Sequence, residues 1–344
     1  MESSDRLKHR SSSNKSPARD LSLPLASSEK KKRRGTSSAA GATLLLLVAL
    51  ASSAALGGGG VYYYLSNDST AETQLSSLNS RLMALSEEKA NLERKLQAST
   101  PAAAGNMPTT EAMQKRIDNL LKFKQKMKDN LQKWSKERLL AKYGPGPHYV
   151  VMEVAFDPSS NIYGDGPDTD HITIELASEE DMPHTVLWFL DQVDRRLYDG
   201  CSFHRNAGHV IQGGPAPNFL TPPNAGLVKH FKESGVESVL FQEYSEKHPH
   251  VKYTLGYAGR PGGPDFYISM QDNTRNHGPG GQGSYEDPTE ADPCFAKVVQ
   301  GFAVADRIHK SAVQEGSYKR MQHYVAIKTM RMISYDPAAE ARAQ

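Results

Sequence analysis

Asp168-Thr169-Asp170 sets two carboxylates two positions apart. That spacing can hold a divalent cation against a nucleotide diphosphate, as in glycosyltransferases. A lone DxD is common by chance, however, and this one ends an acidic loop, Asp165 to Asp170, ahead of a strand-like run. His204, His209, His230, His248 and His250 are further groups with ligand chemistry. Their spacing is not that of metal ligands on one helix, and His248-Pro249-His250 reads as a loop. Gly278 to Gly283 (GPGGQG) follows no apolar strand and holds no lysine, so it does not read as a phosphate loop. Cys201 and Cys294 are the chain's 2 cysteines, too few for a four-thiolate zinc site or a disulfide-dense scaffold. One disulfide between them and two buried thiols both stay open. No metal or other cofactor is expected. The remaining stretch of interest is Phe203-His204-Arg205, followed by Val210-Ile211-Gln212-Gly213-Gly214, where one cation and one amide sit among apolar residues.

These residues belong to a segment, 148–335, of short apolar or alternating runs split by Gly/Pro/Asn loops. Tyr149 to Phe156, His171 to Leu176, Cys201 to Gln212, Lys252 to Tyr257, Phe266 to Ser269, Cys294 to Val299 and Tyr324 to Ile333 read as strands. Met182 to Arg196, with Pro183 in its first turn, and Phe302 to His309 read as helices. Many short strands with few helices predict a mainly β barrel or sandwich with helical caps. A segment of this size can bury one substantial core.

The first 147 residues differ in character. Residues 1–38 carry 10 basic and 4 acidic side chains and almost no large apolar ones, which predicts a disordered basic tail. It ends in Lys30-Lys31-Lys32-Arg33-Arg34. No charged side chain follows until Asp68, and Ala39 to Leu65 is long and apolar enough to span a bilayer as a signal anchor. Tyr62, Tyr63 and Tyr64 suit its membrane–water interface. The basic cluster on its N-terminal side predicts a cytosolic N-terminus and a lumenal C-terminal part. Leu75, Leu78, Leu82, Leu85, Leu92 and Leu96 then repeat at spacings of 3 and 4. Met113, Ile117, Leu120, Met127, Leu131 and Trp134 do the same within a lysine-rich stretch, 111–142. With Gly144-Pro145-Gly146-Pro147 as a hinge, residues 66–147 read as a coiled-coil stalk and linker whose leucines allow a homo-oligomer. A basic helix that docks on a partner or an anionic membrane is the other reading of 111–142. The tail and this stretch are each net +6, which leaves the large C-terminal part near −9. Nucleic-acid binding by the whole chain is therefore not expected.

The stretch 203–214 resembles the signature of cyclophilin-type peptidyl-prolyl isomerases. Three more stretches are similar to that family in the same order: Tyr253 to Gly259 (YTLGYAG), Asp265 to Ser269 (DFYIS) and Phe295 to Asp306 (FAKVVQGFAVAD). The resemblance covers nearly all of 148–335 and none of 1–147. It implies an eight-stranded antiparallel β-barrel closed by two helices and an isomerase acting on proline-containing protein or peptide substrates. Arg205 stands at the family's catalytic arginine and Gln212 at the glutamine that positions it. Phe203, His204, His209, Val210, Gly256, Tyr257, Asp265, Phe266 and Tyr267 stand at or beside positions that line the substrate site.

The chain departs from the family pattern around that site. The Arg205-to-Gln212 interval is one residue short. His209 stands at a pocket phenylalanine, Val210 at a methionine, Asp265 at a glutamine and Tyr267 at a phenylalanine. Asp287 to Pro293 replaces a segment that usually offers an aromatic and a histidine. These changes predict a more polar and acidic pocket and put Asp265 where it can pair with Arg205. Two functions follow as expectations. One is a type II single-pass membrane isomerase with its domain, 148–335, in the endoplasmic reticulum or Golgi lumen and a short tail, 336–344. The alternative is a catalytically weak module of the same fold that grips proline-containing or basic segments.

Overall fold

The strand-like runs become β1 (Tyr149–Ala155), β2 (Thr169–Leu176), β3 (Ser202–Asn206), β4 (Val210–Gly214), β5 (Thr254–Tyr257), β6 (Phe266–Ser269), β7 (Cys294–Gln300) and β8 (Arg320–Ile333). The computed structural model describes residues 69–98, 110–157, 166–215, 225–281 and 290–338. The basic tail 1–38, the apolar span 39–65 and most of the 336–344 tail lie outside the described residues. Among those described, no helix is long and apolar enough to cross a membrane.

The eight strands close into an antiparallel barrel in the order β1-β2-β7-β5-β6-β4-β3-β8, which is the architecture the resemblance implies. Alternation explains which side chains fill it. Val150, Met152 and Val154 on β1 and Ile172 and Ile174 on β2 are fully buried, while their neighbours along each strand are less so. Phe203, Ile211, Leu255, Phe266, Ile268, Phe295, Val325 and Ile327 complete the core. Closure removes the unpaired edges that an open sheet of this length would expose.

Helix α3 (Pro183–Asp194) and helix α6 (Phe302–His309) form where the sequence predicts them. Two further helices arise in stretches read as loops: α4 (Ala225–Ser234), which buries Phe231 against Tyr198, and the single turn α5 (Thr274–His277). Cys201 and Cys294 are buried free thiols, so the disulfide reading does not hold.

The leucine repeats form helix α1 (Ser69–Ala98) and helix α2 (Thr110–Tyr143). Arg116 pairs with Glu88 at 2.7 Å, and Leu82 clusters with Met127 and Leu131, so the two helices run antiparallel. The expected free stalk is not what α2 builds. Its C-terminal half packs on α3, with Trp134 6.5 Å from Trp188 and Leu139 fully buried in the barrel's own core cluster. Lys142 and the Tyr143 hydroxyl both reach Asp191 (2.9 and 2.7 Å). The stripe that reads as an oligomer seam in sequence is thus covered by the same chain, Met127 and Leu131 by Leu82 of α1 and Phe241, and Trp134 and Leu139 by α3 and the barrel core.

The α2–α3 junction also holds a polar node. The Leu240 N–H donates to His184 Nε2 (3.0 Å), so that nitrogen carries no proton and Nδ1–H donates to Ser135 Oγ (2.9 Å). Full burial moves the His184 imidazole down from its ordinary 6.5 to about 3. The buried Glu243 carboxylate accepts the N–H groups of His184 (3.2 Å) and Thr185 (2.6 Å) and the Gln132 amide (2.9 Å). It caps α3 in place of the absent side-chain cap at Met182.

Two outcomes follow from this docking. Leu139→Ala should lower the stability of the whole barrel by about 2–4 kcal/mol, read by denaturant unfolding followed through the far-ultraviolet circular dichroism of the β-sheet. A transition that leaves the barrel unchanged would mean that α2 is peripheral. His184 takes up fewer protons folded than unfolded between pH 6.5 and 3, so stability falls as pH falls through that window. Unfolding at pH 7.5 and pH 5 should differ by roughly 2 kcal/mol from this group, and His184→Asn should reduce that difference.

Candidate functional site

Arg205 and Gln212 face each other across the β3–β4 pair, and the row continues to Tyr267 on β6 and Gly256 on β5. A β-bulge between Phe203 and Arg205 sets the arginine's direction. Phe203 points into the core, while His204 and Arg205 both meet the ring of Tyr318 in the segment before β8. The His204 ring is parallel to it (6.5 Å, 4°), and the guanidinium lies over it (5.4 Å). The tight β3–β4 turn follows from Gly208, whose φ of 84° suits glycine and whose N–H donates to Asn206 Oδ1 (3.0 Å).

The guanidinium is fixed at two points. Nε–H donates to the Tyr318 carbonyl (2.9 Å) and Nη1 to Gln212 Oε1 (3.0 Å). Its three other N–H groups have no hydrogen-bond partner among the described residues. Gln212 then uses Nε2 to donate to Asp265 Oδ2 (2.9 Å), and His204 Nε2 lies 3.4 Å from the same oxygen. Asp265 therefore does not pair directly with Arg205 as expected; the Gln212 amide stands between them and takes its orientation from both. Burial, with the nearby Asp265 charge second, pushes the Tyr318 hydroxyl up to about 12, so it stays neutral beneath the cation.

Beside this row lies a polar aromatic wall. Tyr267 is buried, and its hydroxyl donates to Asp292 Oδ2 (3.1 Å) and meets His250 Nδ1 (3.3 Å). The same carboxylate oxygen holds His277 Nδ1 (2.7 Å), and Asp292 Oδ1 lies 3.1 Å from Arg260. His277 stacks on His209 (5.4 Å, 25°) and packs on Tyr267 (4.7 Å). Burial lowers His209 and takes His250 down to about 4, with the neighbouring His277 as the second cause for each, so both rings are neutral at pH 7. Burial also pushes the Tyr267 hydroxyl well above its ordinary value.

The expected site residues therefore divide. Arg205, Gln212, His209, Asp265 and Tyr267 come together on the β3–β4–β6 face. Val210 and Gly256 are buried in the adjoining strands. Phe203, Tyr257 and Phe266, expected to line the site, are fully buried in the core, with the Tyr257 hydroxyl donating inward to Gln192 of α3 (2.6 Å), and Tyr267 is buried almost as fully. His204 is also fully buried and acts from behind Arg205. Sequence reasoning missed Tyr318, His250, His277 and Asp292. The Asp287 to Pro293 segment signalled polarity there without saying which carboxylate turns inward. Asp168 lies just before β2, where its carbonyl accepts the Phe156 N–H (2.8 Å), and Asp170 lies in β2 opposite Val154 and accepts the His171 N–H (2.8 Å). Among the described residues no cluster of metal-ligating side chains forms there or elsewhere.

Residues 165–332 match the family described as cyclophilin type peptidyl-prolyl cis-trans isomerase/CLD. This segment is a cyclophilin-type domain. Two solved structures are similar to the chain, both of a Cryptosporidium parvum cyclophilin type peptidyl-prolyl cis-trans isomerase. One is 16% identical, with a TM-score of 0.37, covering 55% of this chain and 99% of that one. The other, with the dipeptide Ala-Pro present, is 15% identical, with a TM-score of 0.36 and the same coverage. No curated protein gives a significant match. The cyclophilin match starts after α2, so the helix that packs into the barrel's core lies outside the family segment.

Gly256 records how closely the wall of this cyclophilin domain is packed. A Cβ there would lie 2.6 Å from Cζ of Tyr267 and 2.5 Å from its hydroxyl oxygen. Gly256→Ala should therefore destabilise the domain by about 1–3 kcal/mol, and Tyr267→Leu should relieve much of that loss. Equal denaturation midpoints for Gly256→Ala and wild type would show that Tyr267 does not occupy this place.

Proposed function

We propose that the chain is a peptidyl-prolyl cis-trans isomerase acting on proline-containing protein segments, with Arg205 as its catalytic residue. The observation that carries this is the guanidinium held by the Tyr318 carbonyl and Gln212, with N–H groups left for a ligand, in a cyclophilin-type domain. Amide resonance sets a barrier of about 18–20 kcal/mol to rotation of an X–Pro bond. Twisting the amide localises the nitrogen lone pair, which then accepts a hydrogen bond. A donor fixed in advance at that nitrogen favours the twisted form over the planar ground state. Arginine suits the task because it stays charged and presents a rigid fork of donors. The prolyl ring would lie beside Arg205 and His209, which are half-buried, over the buried Tyr267 and His277 rings.

A second reading, a binding module with weak turnover, is favoured by one feature. The Gln212 amide that could reach a substrate carbonyl donates to Asp265 instead. We further propose that the domain works on the lumenal side of an endomembrane. That placement rests on the sequence pattern of Lys30 to Arg34 followed by the uncharged span.

A proline-isomerisation assay on the full chain tests the main reading. Wild type should accelerate exchange, and Arg205→Ala should reduce kcat/KM by about 100-fold. A folded wild type that binds a proline peptide without accelerating exchange would instead establish the binding module.

A further inference from the structure

The loop that carries Asp292 is held from outside the cyclophilin segment. Lys124 of α2 lies 3.2 Å from Glu290 Oε1 and Lys128 3.9 Å from the same oxygen. All three side chains are less than 20% exposed, so solvent screens these pairs less than it does surface ones. The Lys128 ammonium also sits 5.7 Å from the Phe241 ring centre, which fixes it from a second side. Glu290 leads directly into the buried pair Ala291 and Asp292. Arg260 donates to the Ala291 carbonyl (2.8 Å), and the Asp292 N–H donates to the His277 carbonyl (2.9 Å). From there Asp292 Oδ2 orients His277 and Tyr267, the wall next to Gln212. Helix α2 is anchored independently at its other end by Leu139 and Asp191, so its lysines project from a fixed support.

We propose that Lys124 and Lys128 are positioning residues for the peptide site. Through Glu290 they set the Asp292 loop, and through it the buried Tyr267 and His277 rings that back His209 and Gln212. The helix preceding the cyclophilin segment is thereby part of the substrate site's support. This inference rests on the isomerase reading, since that reading makes His209 and Gln212, which this wall backs, a substrate surface. The lysines act through other groups and do not touch the reacting bond.

The test uses the full chain with Lys124→Met and Lys128→Met together, the double arginine variant, and Lys122→Met with Lys126→Met on the exposed face as a control. Three readouts are taken: kcat/KM on a proline tetrapeptide, the thermal midpoint, and the NMR chemical shifts of the His277 ring at one fixed pH. The double methionine variant should lose roughly three- to tenfold in kcat/KM, mostly as a rise in KM. Its midpoint should stay close to wild type and the His277 ring shifts should change. The double arginine variant should recover activity, and the control should match wild type. Unchanged kcat/KM and unchanged His277 ring shifts in the methionine variant would overturn the inference, as would an equal loss in the control. If wild type shows no isomerisation, the functional reading fails separately, and the His277 ring shifts with tetrapeptide binding decide whether the lysines set the wall.

Discussion

Helix α3 has no solvent face, and much of the molecule answers that constraint. Pro183 to Val193 are buried without a break. A helix enclosed on all sides needs apolar partners all round and a partner for each N–H group at its start, because no water reaches either. The barrel core supplies one side through Phe189, which packs on Phe295. Helix α2 supplies the other through Trp134 and Leu139. Glu243 satisfies the first N–H groups, and its own desolvation, which pushes its carboxyl up, is opposed by those same donors and Gln132. The polar groups at this junction thus depend on one another. Ser135 binds the His184 ring, and Gln132 binds the carboxylate that caps the helix carrying that ring.

The site is arranged by comparable mutual dependence. Asp265 brings a negative charge close to a guanidinium that must keep its donors available. A direct ion pair would consume them. With Gln212 between, the carboxylate instead fixes which way the amide faces, so Oε1 points to Arg205 and Nε2 to Asp265. The Tyr318 carbonyl completes the hold from the other side. The barrel wall contributes the row of positions, and the bulge in β3 supplies the direction.

The barrel, the two capping helices and the pairing of Arg205 with Gln212 were legible in the sequence, because alternation and the signature around 203–214 report local constraints. The helical character of 69–98 and 111–142 was legible for the same reason. What covers the helices was not: a stripe of Met113, Ile117, Leu131 and Trp134 is identical in composition whether it meets a second chain or α1 and α3 of its own. Nor could spacing separate Phe203, Phe266 and Tyr257 from the residues outside the barrel. A bulge shifts which positions face inward, and it leaves no mark in the residue types. His250, His277 and Asp292 come from the loop before β5, from the end of α5 and from the loop before β7. Only the closed barrel brings them around Tyr267.

The polar composition of that wall is compatible with its burial, for a reason visible in its hydrogen bonds. Asp292 engages the Tyr267 hydroxyl, His277 Nδ1 and Arg260, and its backbone carbonyl meets His250. The polar atoms face one another within the wall, so the Tyr267 and His277 rings can be buried, packed on each other and on His209. Holding them costs a buried network in which each member depends on the rest. The pocket loop consequently has less freedom to adapt than an apolar lining would, which makes the placement of Asp292, and of whatever holds Glu290, consequential for what the site accepts.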